Sequence, residues 1–116
     1  MTIGDNVTIG TNVQFITTNH STDVAERLQG CMYARSITIS SACWIGARVT
    51  LLPGATVGYG CTIGAGAVVS GNIPEYSVAV GVPARVVKRV FPTLPASVPE
   101  VMPEAVESQL PQDEKG

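Results

Sequence analysis

Aromatic residues make up only 5% of this 116-residue chain. Its core therefore cannot rest on stacked rings and must be filled by aliphatic and small side chains. It has one histidine, too few for a three-imidazole zinc centre. Its three cysteines form neither a Cys-x-x-Cys pair nor a Cys/His cluster, so no metal site is expected. Without a secretory signal, reduced thiols and a cytoplasmic location are the expected reading. Charge is sparse and nets to −2, which leaves no basic field to hold nucleic acid or an anionic membrane. No apolar run approaches the ~20 residues that span a bilayer. The N-terminus also lacks the basic region and apolar stretch of a leader. A chain this short allows one domain.

What the chain does have is a period of six. From Ile3 it reads IGDNVT, IGTNVQ, FITTNH and, after an interruption, ISSACW, IGARVT, LLPGAT, VGYGCT, IGAGAV, VSGNIP. Each block leads with an aliphatic or Phe: Ile3, Ile9, Phe15, Ile39, Ile45, Leu51, Val57, Ile63 and Val69. Second positions are mostly small, and fifth positions (Val7, Val13, Cys43, Val49, Ala55, Cys61, Ala67, Ile73) are mostly small and apolar. An α-helical period of 3.6 cannot sustain a strict repeat of six, and an amphipathic strand would alternate in twos. Six residues do make one short strand plus a turn. Three such units close a triangular coil of about 18 residues that stacks at roughly the 4.8 Å strand spacing. The predicted fold is all-β: a single-stranded left-handed parallel β-helix, with leading and fifth residues pointing inward. Gly, Asn and Asp supply the left-handed backbone at the turns. Cys43 and Cys61 stand one coil apart and are expected as small buried hydrophobes on the same corner. The alternative, a disulfide, would require parallel side chains to turn towards each other.

The interruption, about residues 21–36, is polar and charged and is expected to protrude as a loop, with His20 at its mouth. Its phase is kept, because Phe15 and Ile39 stand 24 residues apart. After Pro74 the hexads decay into one last strand, followed by a short basic helix at about 83–90 that would cap the solenoid. Residues 1–90 thus form the domain. Residues 91–116 read as a Pro-rich, acidic tail, extended or with a short helix near Glu104–Leu110. At the other end the repeat is already in phase at Ile3. This predicts either a chain shortened relative to its kin or a partner covering that end.

The stretch from Ile3 to Val90 resembles the sugar O-acetyltransferases related to galactoside and maltose acetyltransferases. The resemblance rests on the His at the loop mouth followed by TDVAER, then WIGA, LLPGATVG, IGAGAVV and the closing GVPARVVKR. It implies a homotrimer with active sites between neighbouring solenoids, acetyl-CoA as donor and a sugar hydroxyl as acceptor. It also implies His20 as general base, for which an imidazole with an unperturbed pKa of about 6.5 is suited. It assigns Ala47, Ala65, Ser70, Arg85 and Lys88 to the CoA arm and its phosphates, with Gly71 and Asn72 standing where Lys-Asp is common. Trp44 falls beside the acceptor cleft. Asp23, Glu26 and Arg27 match the loop's acidic–basic set, as acceptor-binding residues or as a brace for the loop. Upstream family positions that shape the acceptor pocket precede Met1 here. The competing expectation is therefore an N-terminally shortened, non-catalytic trimeric scaffold that retains CoA binding. A carbonic anhydrase on the same solenoid is excluded by the lone histidine, and serine acetyltransferase is a weaker match.

Overall fold

The computed structural model describes residues 1–92, so the predicted 91–116 tail and its short helix lie almost wholly outside the described residues. The first coil consists of three two-residue strands, β1 (Thr2–Ile3), β2 (Thr8–Ile9) and β3 (Gln14–Phe15). A hairpin follows: β4 (Thr18–His20), the five-residue α1 (Val24–Leu28) and β5 (Met32–Ala34). The solenoid then resumes through β6 (Thr38–Ile39), β7 (Trp44–Ile45), β8 (Thr50–Leu51), β9 (Thr56–Val57), β10 (Thr62–Ile63), β11 (Val68–Val69), β12 (Asn72–Ile73) and β13 (Ser77–Val80). It ends on β14 (Arg85–Arg89).

These strands stack into three faces of a left-handed β-helix. The first face runs β1-β6-β9-β12, the second β2-β7-β10-β13-β14 and the third β3-β8-β11. All pairings along the coil are parallel. Register confirms the preserved phase. Partners stand 36 residues apart across the insertion (Thr2↔Thr38) and 18 apart beyond it (Thr38↔Thr56). The insertion thus adds the length of one full turn of chain without rotating the coil. Its hairpin begins at Thr18, a little before the expected boundary.

Most strands pair an outward residue, usually Thr, with an inward aliphatic. Threonine suits this place because a β-branched side chain packs on a pleated surface and its hydroxyl meets water. Ile39, Ile45, Leu51, Val57, Ile63 and Val69 are fully buried, as are the fifth-position residues Cys43, Val49, Ala55, Cys61 and Ala67. Each large aliphatic contributes about 2 kcal/mol of burial. The cysteines are free thiols. Cys43 Sγ donates to the Gly58 carbonyl and Cys61 Sγ to the Pro74 carbonyl, both at 3.0 Å. Hydrogen bonding with Cys61, together with burial, pushes the Cys43 thiol well above its ordinary value. Both thiols are buried in the core. At the turns the left-handed conformation recurs every six residues, at Ala42, Arg48, Gly54, Gly60 and Gly66.

Two expectations are corrected. Ile73 does not occupy a fifth position. It pairs with Val57, a leading residue, because Asn72 and Thr56 stand only 16 residues apart. The coil there is two residues shorter and turns at Gly71 (φ 81°). The capping segment at 83–90 is not a helix. β14 lies antiparallel on β13, with Ser77↔Arg89 and Val80↔Arg85 in register and an irregularity between Val78 and Ala79. Val86 and Val87 favour a strand. A strand also satisfies the backbone groups that β13 would otherwise leave open at the end of the sheet, which a helix cannot do.

Candidate functional site

The second face and the corner that follows it hold four of the five residues assigned to the CoA arm. Trp44 points outward, opposite in parity to the buried Ile45, and lies in register with Thr8 below it and Thr62 above it. Thr62 pairs with Val78, and Val78 with Lys88. Trp44 and Lys88 therefore belong to one cross-strand row, three strand spacings apart, or about 14 Å along the solenoid axis. Arg85 opens β14 opposite Val80, with Nη1 donating to the Ala84 carbonyl at 3.4 Å. Both cations are exposed.

Beside this row, at the corner that follows the second face, Ala47 and Ala65 stack on successive coils. The Gly66 N–H donates to the Ala47 carbonyl at 2.8 Å. The N–H groups of Ala47 and Ala65 have no backbone acceptor among the described residues. They are the donors left over at the turn, available to an oxygen placed against the corner. Glycine makes this stacking possible. A Cβ on Gly46 would sit 2.8 Å from the Ala65 nitrogen, and one on Gly10 would sit 2.7 Å from the Ala47 nitrogen.

His20 is elsewhere. It ends β4 in the exposed hairpin, opposite Met32. Its backbone N–H donates to Asn19 Oδ1 at 3.0 Å. The hairpin leaves the solenoid at the end of the third face, so within one chain that whole face separates its root from the Trp44 row. Ser70 follows β11 on the third face as well and is exposed. One chain thus brings together Trp44, Ala47, Ala65, Arg85 and Lys88, but places His20 and Ser70 apart from them.

The charged residues of the loop tie the hairpin tip to itself. Asp23 caps α1 by accepting from the Glu26 N–H at 3.0 Å. Glu26 Oε1 accepts from Ser21 Oγ at 2.6 Å and from the Tyr33 hydroxyl at 3.0 Å. These two bonds hold the Glu26 carboxyl below its ordinary value. Arg27 Nη1 donates to the Ser21 carbonyl at 3.3 Å. The observed contacts of Asp23 and Arg27 are therefore those of a brace.

Three residues that sequence reasoning left without a role line a cleft of about 430 Å³ between hairpin and wall: Asn19, Tyr33 and Arg35. They could have been found from strand parity, because Asn19 pairs with Tyr33 and the two share a hairpin face with Arg35.

A solenoid of stacked hexads with small residues at its corners defines the chain as a hexapeptide-repeat protein. Residues 36–71 match the family described as bacterial transferase hexapeptide (six repeats). The chain is 44% identical over 90 residues to the galactoside O-acetyltransferase of Escherichia coli, an alignment covering 78% of this chain and 44% of that protein. A solved galactoside acetyltransferase in complex with coenzyme A superposes with a TM-score of 0.73 at 45% identity, over 75% of this chain and 44% of that one. A hexapeptide-repeat acetyltransferase from Vibrio cholerae, complexed with acetyl coenzyme A, superposes with a TM-score of 0.74 at 33% identity, over 78% and 50% respectively. The chain spans about half the length, or less, of these relatives.

Proposed function

We propose that this solenoid is the donor-binding wall of an acetyl-CoA-dependent O-acetyltransferase that works as a homotrimer on a sugar-type hydroxyl. The observation that carries the proposal is the row from Trp44 to Lys88 flanked by the N–H groups of Ala47 and Ala65, which have no backbone acceptor among the described residues. It offers backbone donors for an extended amide-bearing arm and its thioester oxygen, with Arg85 and Lys88 for phosphates at the far end. The relatives solved with coenzyme A or acetyl coenzyme A support this choice of donor.

In this reading His20 removes the proton from the acceptor hydroxyl as that oxygen attacks the thioester carbonyl carbon. Ala47 N–H steadies the carbonyl oxygen as it gains charge. The C–S bond breaks, the thiolate takes the proton back from the imidazolium, and the acetyl ester leaves. Because Ala47 carries no hydroxyl, the oxyanion relies on the backbone donor alone. His20 and the Trp44 row lie on different faces of one chain, so a complete site pairs the hairpin of one copy with the second face of its neighbour. This is why we propose the trimer. Asp23 and Arg27 hold the loop in shape, Ser70 contributes from the third face, and Trp44 offers a ring beside the acceptor.

The test is thiol release from acetyl-CoA with a panel of sugars, comparing the chain with His20→Ala. A loss of about 100-fold or more is expected when a general base is removed. Equal rates in both would sink the assignment of His20. CoA binding by calorimetry without any thiol release would instead favour a non-catalytic scaffold.

A further inference from the structure

We infer that the cleft at the root of the hairpin is a site for a small anion, a carboxylate or phosphate group, held by Arg35. Two walls make the cleft. Ile16, Leu52, Pro53 and Ser70 come from the solenoid, while Asn19, Tyr33 and Arg35 come from the hairpin or its exit. Its volume of about 430 Å³ falls within the ordinary range for small-molecule sites.

Its polar groups are donors. The Arg35 backbone is fixed by donation to the Thr17 carbonyl at 2.9 Å. Its guanidinium lies flat on the turn at Gly54, where a Cβ would come within 3.0 Å of Cζ and 3.1 Å of Nε. A Cβ there would press on the guanidinium and make it shift by a few tenths of an ångström, and the left-handed φ of 83° suits glycine. Among the described residues the guanidinium has no carboxylate partner, since the loop's Glu26 is engaged by Ser21 and Tyr33. Asn19 Oδ1 accepts from the His20 N–H, which leaves the Asn19 amide hydrogens to donate. Ser70 adds a hydroxyl. Tyr33 lends its ring only, because its hydroxyl is committed to Glu26. A planar five-donor fork with an amide and a hydroxyl beside it suits carboxylate or phosphate oxygens. The apolar wall of Ile16, Leu52 and Pro53 suits the carbon skeleton that bears them.

Strand parity separates this site from the reacting group. Asn19 and Tyr33 face the cleft, while the neighbouring pair, His20 and Met32, faces the other way. An anion bound here would bridge the hairpin to the wall behind His20. The inference does not depend on acetyl transfer, because it is read by binding alone.

The anion could belong to a free metabolite or to CoA, and two calorimetric series on the full chain separate these sources. One compares glucose 6-phosphate with glucose and galacturonate with galactose. The other compares CoA with 3′-dephospho-CoA. Each is run on the natural chain, on Arg35→Gln and on Arg35→Lys, with circular dichroism to confirm folding. In at least one series the anionic member should bind about tenfold more tightly, the scale of one charge-assisted bidentate contact. Arg35→Gln should erase that preference, and Arg35→Lys should keep part of it. Loss in the sugar series assigns a separate ligand, and loss in the CoA series assigns the 3′-phosphate. No preference in either series, or a preference that survives Arg35→Gln, overturns the site.

Discussion

The first coil and the coils after the hairpin carry the same hexads but have different fates. Ile39 and Ile45 are fully buried, while Ile3 and Ile9 are 40% and 39% exposed. Val7, Val13 and Phe15 only lean on the core from one side. The difference does not lie in the repeat. A leading aliphatic is covered by its own triangle and also by the triangles above and below, so a coil with one neighbour buries only part of what it presents. At the other end, β14 folds back on β13 and closes the second face by antiparallel pairing. A solenoid's stability therefore lives in the contacts between turns.

The sharpest way to test this is to delete equivalent side chains at two levels. Ile45→Ala removes a fully buried residue with coils on both sides, and should cost about 3 kcal/mol in chemical denaturation. Ile9→Ala removes the residue directly below it in the same face, from a half-open site, and should cost about 1 kcal/mol. Equal costs would mean that the first coil is as well covered as the middle ones.

A smaller effect separates corners that touch the next coil from corners that do not. Gly46→Ala drives a Cβ to 2.8 Å from the Ala65 nitrogen, against backbone that cannot yield. It should cost about 2 kcal/mol through overpacking. Gly66→Ala meets nothing within 4 Å and pays only for its left-handed φ of 76°, about 1 kcal/mol. Thermal midpoints of the two variants in one buffer decide the order. If Gly66→Ala were the worse of the two, the turn's conformation would matter more than the stacking distance.

How far the sequence could be read follows from the same physics. A repeat of six is a one-dimensional signal, so the coil, its phase across the insertion and its inward residues were legible from spacing alone. Where spacing changes, that legibility ends. Ile73 stands two positions from where the hexads put it because the coil at Gly71 is two residues short, and nothing in a lone VSGNIP block announces that. Pro83 and the basic residues after it predict a helix for the final segment, whereas the open edge of β13 decides for a strand. That competition is tertiary and invisible locally. The candidate site is divided too. Trp44, Ala47, Ala65 and Lys88 enter through the family resemblance and not through the spacing, and in the structure they lie along one wall. The cleft of Asn19, Tyr33 and Arg35 enters through neither, because it arises from a hairpin folding against a wall three coils tall.

The hairpin differs from the wall in one more respect, and pH should expose it with the smallest effect of all. The wall's described core carries no carboxylate, while the hairpin tip is tied together through one, Glu26. Hydrogen bonds from Ser21, chiefly, and Tyr33 lower its pKa from the ordinary 4.5. A carboxyl depressed in the folded state stabilises that state above its unfolded value, and the contribution fades as pH falls through the folded value. The group is fully exposed, so the effect is local. Amide exchange across residues 21–33 should quicken as pH drops below about 4.5, once corrected for intrinsic rates, while amides of β7, β10 and β13 keep their protection. Glu26→Gln should produce the same loosening at neutral pH and remove the pH dependence. Protection that falls in hairpin and wall together would show that the two are one cooperative unit, and that the loop carrying His20 is as firmly held as the coils beneath it.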